Sequence, residues 1–351
     1  MSAPWTEKHR PLALDRIVHQ DHAVRAAKRC IESGNMPHML LYGPAGTGKT
    51  TLVHAMMHEF FGPRFWRARV NEFNASTDRG IKIVRERIKS IARTVIAVAP
   101  EDVKALYPCP DFQVIVLDEA DALTRESQAA LRRIIEDYSE TTRFCILCNY
   151  PSQIIAPIVS RCARFAFSPL PQTLIIDRLT AICYAEMHQL RNANEQLSQL
   201  ASDALREVAI LSQGDMRAAI TLLQTTVQFC QSMGEELSPE HVRLLAGKIP
   251  DELIASLIEK MTDVSLPVES LMEYLHKSVI RTGYPALDVI RELWRSLCFE
   301  AQAPESLRYA VGDAYQRAGL YVARRVSDAS VLERFVLAIY NSYCRLNQKS
   351  V

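Results

Sequence analysis

Residues 43–50 read Gly43-Pro-Ala-Gly46-Thr-Gly48-Lys49-Thr50, a match to the pattern G-x-x-x-x-G-K-S/T. Glycines at these positions let the backbone wrap closely round an anion, and exposed N–H groups at the start of the next helix favour its oxygens. Lys49 should then reach the β- and γ-phosphates of a nucleoside triphosphate, and the Thr50 hydroxyl should ligate Mg²⁺, with Thr51 following on the same turn. The apolar run Met39–Tyr42 precedes the motif and a helical stretch follows it. Without that strand–loop–helix setting the glycines would be no more than a turn.

A second group of candidates ends another apolar run, Val114-Ile-Val-Leu-Asp118-Glu119-Ala-Asp121. A parallel sheet brings all strand C-termini to one edge, so Asp118 is expected beside the phosphate loop, holding Mg²⁺ through its water shell. Glu119 adds a carboxylate suited to polarise an attacking water. Taken alone, the two acids would be an ordinary solvated strand end. Asn149 ends the next apolar run, where its amide could hydrogen-bond a γ-phosphate and a water together; Asn is also common at strand ends for turn reasons.

The elements that must position these groups are legible in residues 39–170. Short apolar runs (Met39–Tyr42, Ala68–Phe73, Gln113–Leu117, Arg143–Cys148, Ala163–Phe167) alternate with helical stretches such as Thr50–Phe61, Ile81–Val95 and Thr124–Tyr138. That order predicts βα units and a parallel sheet flanked by helices. Pro100–Pro110, with three prolines and mixed charges, reads as an exposed loop. After Ser168-Pro-Leu-Pro171 helical periodicity takes over, with apolar stripes at Leu253, Ile254, Leu257, Ile258, Met261 and at Leu332, Phe335, Val336, Ile339, Tyr340. The expected division is an α/β domain over 1–168, a small helical lid over 169–246 and an all-α domain over 247–351.

Composition narrows the classes further. The 351 residues hold 41 Lys+Arg against 40 Asp+Glu, so no global field points to nucleic acid or membrane, and any basic surface must be local. No run of 18 apolar residues predicts a spanning helix, and the first residues lack the apolar core of a secretory signal. Nine cysteines without framework spacing fit a reducing compartment. Cys145 and Cys148, three apart on a strand, should face opposite sides and so share no metal. One local basic feature exists: Arg79, Lys82, Arg85, Arg87, Lys89 and Arg93 stand with a single acid, Glu86. On a helix Lys82, Arg85 and Lys89 share a face that could follow a phosphate backbone, or be only a solvated basic face.

Taken together these residues resemble the small subunits of replication factor C, the sliding-clamp loader, among the AAA+ ATPases. The resemblance is carried by Trp5-Thr-Glu-Lys-His-Arg10-Pro11, the phosphate loop, Glu72–Gly80, Leu117–Asp121, Gln128–Arg133, Thr141–Phe144, Cys148–Tyr150, Ser160-Arg161-Cys162 and Gly214-Asp-Met-Arg217. It implies an AAA+ domain, a lid and a C-terminal collar that holds subunits together and buries the apolar stripes. It implies that Arg10 and Pro11 pack near the adenine, that Asn149 senses the γ-phosphate, and that Arg217 reaches that phosphate from the lid. Arg161, by local sequence only a surface arginine, becomes by resemblance a finger acting on a neighbouring subunit's ATP. It also implies Arg79, Lys82, Arg85 and Lys89 lining a channel for primer–template DNA without base readout. The implied partners are other replication factor C subunits in a hetero-pentamer, the clamp (PCNA) and DNA, in the nucleus, with ATP and Mg²⁺ as cofactors. Alternatives are a scaffold subunit that binds ATP with little turnover, or a checkpoint variant of the loader. A different AAA+ machine lacks support, since no pore loop is visible and the C-terminal third reads as packed helices.

Overall fold

Five runs of Val, Ile, Leu, Phe and Cys form one parallel sheet: β1 (Met39–Tyr42), β2 (Val70–Asn74), β3 (Gln113–Asp118), β4 (Thr142–Cys148) and β5 (Ala163–Ala166). The computed structural model describes residues 3–77, 84–94, 96, 98–189, 199–263, 265–300 and 305–348. The strand order is β2-β3-β4-β1-β5, and every neighbouring pair is parallel. The central strands are apolar through Val114–Leu117 and Phe144–Cys148 because both faces are covered. Met39, Leu41, Val114, Val116, Cys145 and Leu147 enter one core. Leu40, Ile115, Leu117, Phe144, Ile146 and Cys148 enter the other. Cys145 and Cys148 therefore lie on opposite sides, and desolvation pushes the Cys148 thiol up to about 12. Among the described residues no group of three or more His, Cys, Asp or Glu could hold a metal.

Helices α1 (Asp21–Ser33) and α2 (Lys49–Arg69) cover the first face, and α3 (Arg125–Asp137) the second. Thr124 caps α3 by accepting from the Ser127 N–H (3.2 Å). The α2 segment runs past Phe61, where the sequence pattern predicts its end, but breaks at Gly62, which has φ +76°. A Cβ there would meet the Tyr107 ring at 2.7 Å. The Pro100–Pro110 segment is thus less open than expected. It contains a helical turn, Glu101–Lys104, and its buried Cys109 donates its backbone N–H to the Phe60 carbonyl (3.0 Å). The regular helix expected over 81–95 also differs: Val84–Ile88 is a π-turn, followed by α-helix over Lys89–Arg93. A π-turn puts more residues in a turn than an α-helix does, so the i, i+3, i+7 alignment of an α-helix does not carry through it.

Contacts divide the chain into two compact units, Met1–Val242 and Arg243–Val351. Within the first, α4 (Gln172–Gln189), α5 (Gln199–Leu211) and α6 (Met216–Met233) enclose a separate core of Ile175, Leu179, Val208, Leu223 and, from far upstream, Trp5. The second unit is helical: α7 (Asp251–Thr262), α8 (Val268–Leu275), α9 (Ala286–Arg295), α10 (Glu305–Ala323) and α11 (Asp328–Gln348). Both stripes read from the sequence are consumed in this unit's own core. Both stripes thus face inward, as expected of a packed helical domain. Leu244, Phe299, Tyr309 and Leu320 are the large apolar side chains this unit leaves exposed among the described residues.

His38 leads into β1, and its Nδ1 accepts from the Phe144 N–H (3.2 Å). Burial, then the nearby Arg143 guanidinium, push it down to about 4. The unfolded chain therefore takes up this proton first as pH falls. Stability present above pH 6.5 should decline down to about pH 4, by about 3 kcal/mol at most. His38→Asn, whose amide oxygen can accept the same bond without titrating, should flatten that part of a denaturation-versus-pH curve.

Candidate active site

The loop between β1 and α2 turns because Gly43, Gly46 and Gly48 all have positive φ. Two of these glycines are also fixed by space. A Cβ on Gly43 would stand 2.1 Å from the Phe167 carbonyl oxygen, and one on Gly46 1.7 Å from Asp215 Oδ1. Lys49 opens α2 and folds back over its own loop. Its Nζ donates to the carbonyls of Gly43 (2.7 Å) and Pro44 (2.8 Å) and to Asn149 Oδ1 (3.0 Å). The residue is only 9% exposed. Burial lowers the affinity of its amine for the proton, and the neighbouring Asp118 carboxylate works the other way.

Strand adjacency brings in the other groups. β1 and β4 pair with Tyr42 opposite Cys148, so Gly43 and Asn149 leave the sheet side by side. Asp118 ends β3, next along the same edge. Thr50 Oγ1 donates to Asp118 Oδ2 (3.1 Å), while Asp118 Oδ1 accepts the Glu119 N–H (2.9 Å). Glu119 itself stands at φ +53°, uncommon outside glycine and Asn, which turns its side chain out of the strand's course. Asp121 Oδ2 accepts the backbone N–H groups of both Asn149 and Tyr150 (3.2 Å each), fixing the end of β4.

A cavity of about 220 Å³ opens between this sheet edge and the helices after Pro171. Arg10, Pro11, Gly46, Gly48, Lys49, Thr50, Thr51, Asp118, Glu119, Asn149 and Arg217 all line it. Gly43 contributes through the carbonyl that holds Lys49. Arg217 is the second residue of α6, because Asp215 caps the helix by accepting the Ala218 N–H (2.9 Å). The cavity wall carries five basic side chains (Arg10, Arg16, Lys49, Arg178, Arg217) against three carboxylates (Glu7, Asp118, Glu119), a balance that suits a polyphosphate. Thr50 and Asp118 offer two adjacent hard oxygens. That fits Mg²⁺, which keeps its waters and takes one or two protein ligands plus phosphate, and does not need a cage of acids.

Arg16, Arg178, Asp121 and Asp215 were not singled out by sequence reasoning as parts of the site. The signal for Asp121 was its fixed offset from Asp118; Arg178 carried none, since it meets the site only through packing of α4. Arg161 is not in the cavity. It precedes β5, at the opposite edge of the sheet, where Glu136 accepts from it (2.5 Å) and from Arg132 Nε (3.0 Å). Of the basic helix, Arg79 and Lys82 and the side chain of Arg85 lie outside the described residues, and Lys89 is half-buried. Arg93 Nε donates to the Tyr138 hydroxyl (2.7 Å), and Arg87 lies over the Phe73 ring (5.6 Å).

A family model described as "ATPase family associated with various cellular activities (AAA)" matches residues 39–170, the segment holding the loop, both carboxylates and Asn149. Fold and site together define a P-loop ATPase of that class. Replication factor C subunit 2 of Saccharomyces cerevisiae is 39% identical over 293 residues, 83% of this chain and 79% of the relative. Human replication factor C subunit 4 is 37% identical over 83% of this chain and 75% of its own. The small subunit of Aeropyrum pernix is 38% identical over 88% and 87%. The chain belongs to the replication factor C subunit family. The Thermotoga maritima RuvB Holliday junction branch migration motor shares the fold, with TM-score 0.51 and 16% identity over 76% of this chain and 85% of that one.

Gly46→Ala tests the closed geometry. A left-handed alanine costs about 1–2 kcal/mol, and its methyl must push Asp215 and α6 away from the loop. Nucleotide affinity of the purified chain should fall about tenfold or more in a fluorescent-nucleotide titration.

Proposed function

We propose that this chain is an ATP-hydrolysing subunit of a replication factor C clamp loader, which places the sliding clamp (PCNA) on primer–template DNA in nuclear replication and repair. The observation that carries the mechanism is the separation of Arg161 from the cavity. Every other candidate for the chemistry meets at the C-terminal edge of the sheet, whereas this cation leaves from the other edge. It cannot serve its own site, and it is exposed enough to serve a neighbour's.

Lys49 exchanges its carbonyl partners for phosphate oxygens as ATP enters. Mg²⁺, bound with ATP, supplies positive charge against the phosphates, and Thr50 and Asp118 are the residues that would hold it. Glu119 orients and polarises the attacking water, and Asn149 fixes water and γ-phosphate relative to one another. Arg10 and Pro11 form the wall beside the base, and Arg217 brings the lid to the γ-phosphate. The division into AAA+ domain, lid and collar follows these roles. Arg79, Lys82, Arg85 and Lys89 contact the DNA backbone without reading bases. A scaffold that only holds ATP would have no use for Glu119.

Two measurements test this reading. Arg161→Ala should leave ATP affinity of the isolated chain unchanged. In the assembled complex it should slow turnover at the adjacent site about a thousandfold, the scale of other trans-acting arginines. Fast turnover by a proven monomer that depends on Arg161 would refute the trans role. Replacing Lys82, Arg85 and Lys89 together with Ala should abolish most DNA stimulation of ATPase, and the salt dependence of DNA binding should become shallower. Stimulation equal to wild type would remove these residues from the DNA path.

A further inference from the structure

The residues before the sheet do more than border the cavity. Trp5, 5% exposed, is buried in the lid's core, and its backbone N–H donates to Gln224 Oε1 on α6 (3.0 Å). Lys8 Nζ (2.8 Å) and His9 Nε2 (2.5 Å) both reach Glu186 on α4, and Arg178 of α4 donates to the His9 carbonyl (2.7 Å). Glu186 is 6% exposed, a buried carboxylate that the chemistry of the site does not use. Five residues later the chain belongs to the other body: Leu14 is fully buried in the sheet's core, and its N–H donates to Glu59 on α2 (2.7 Å). Between these anchors lie Arg10 and Pro11, on the cavity wall.

We infer that residues 5–9 are a strap docked noncovalently on the lid, and that Glu186 is the positioning residue whose paired charge keeps Arg10 and Pro11 over the bound nucleotide. This rests on the nucleotide reading of the cavity. The lid is joined to the sheet covalently at residues 167–171 and a second time through this strap. An apolar plug alone tolerates sliding. A buried carboxylate held by the Lys8 ammonium and the His9 imidazole does not, because separation strips a charged group of its partners. Release of nucleotide therefore requires the strap to undock or to travel with the lid, and Glu186 controls the first route.

The test uses the full-length chain. Dissociation of N-methylanthraniloyl-ATP, followed by stopped flow, should accelerate about tenfold in Glu186→Gln and in the more exposed Lys8→Met. Glu186→Asp should be intermediate, and the double variant no faster than Glu186→Gln alone. Hydrogen exchange at the amides of residues 5–9 in the nucleotide-free chain should accelerate in Glu186→Gln. Unchanged exchange overturns the latch. Faster exchange with an unchanged dissociation rate overturns its control of release. If the wild-type chain bound no nucleotide, the reading of the cavity would fall, and exchange would still decide whether Glu186 docks the strap.

Discussion

An ammonium group taken out of bulk water must be given oxygen dipoles or a counter-ion, and the arrangement around Lys49 answers that demand. Two carbonyls come from its own loop and one amide oxygen from Asn149, a hundred residues further on. Each partner imposes a condition. The carbonyls can point inward only if the loop curls, which requires the left-handed glycines. Asn149 can arrive only if β4 lies beside β1, which demands a crossover and hence a parallel sheet. The same three oxygens are weaker partners than a triphosphate. On the proposed reading, nucleotide replaces them without a new desolvation penalty on the lysine, and Asn149 is already in place when it does.

A parallel sheet has two chemically different edges, and this chain uses both. The edge with strand C-termini collects the loop, Asp118, Glu119 and Asn149. The edge with strand N-termini holds Arg161, which is paired with Glu136 in the single chain. A half-exposed ion pair of this kind is weak in water and readily exchanged for a phosphate on another subunit. On the proposed trans role of Arg161, topology alone makes hydrolysis depend on assembly.

Much of this was readable from residues. The three central strands were legible because they are buried on both faces and so carry apolar runs, and the loop because its glycines and lysine are spaced by a geometric need. The helix after Thr124 was legible from its periodicity. What escaped depended on contacts distant in sequence. Nothing local in Gly46-Thr-Gly48 announces that Asp215 will fill the space above Gly46. Arg178 and Glu186 look like ordinary helix charges until α4 is placed against the N-terminal segment. The stripes of the second unit were legible as buried faces, although periodicity gives the face of a helix and not which elements cover it. The break at Gly62 and the π-turn at Val84–Ile88 are local geometry that a helical pattern averages over.

The contact between loop and lid links phosphate chemistry to domain movement. The first amide of α6, at Met216, donates to the Gly46 carbonyl (3.2 Å), and Asp215 sits where a Gly46 side chain would be. Arg217 follows one residue later, facing the cavity. A shift of the loop is therefore felt at the start of α6 directly, through one backbone hydrogen bond and the Asp215 side chain that caps the helix. A helix of 18 residues, stiff along its axis, carries that displacement through the lid's core. The strap at Trp5 and Glu186 ties the opposite wall of the cavity to the same body. On the nucleotide reading of the cavity, both walls move with the lid and the floor with the sheet, so occupancy and the angle between the two become one variable.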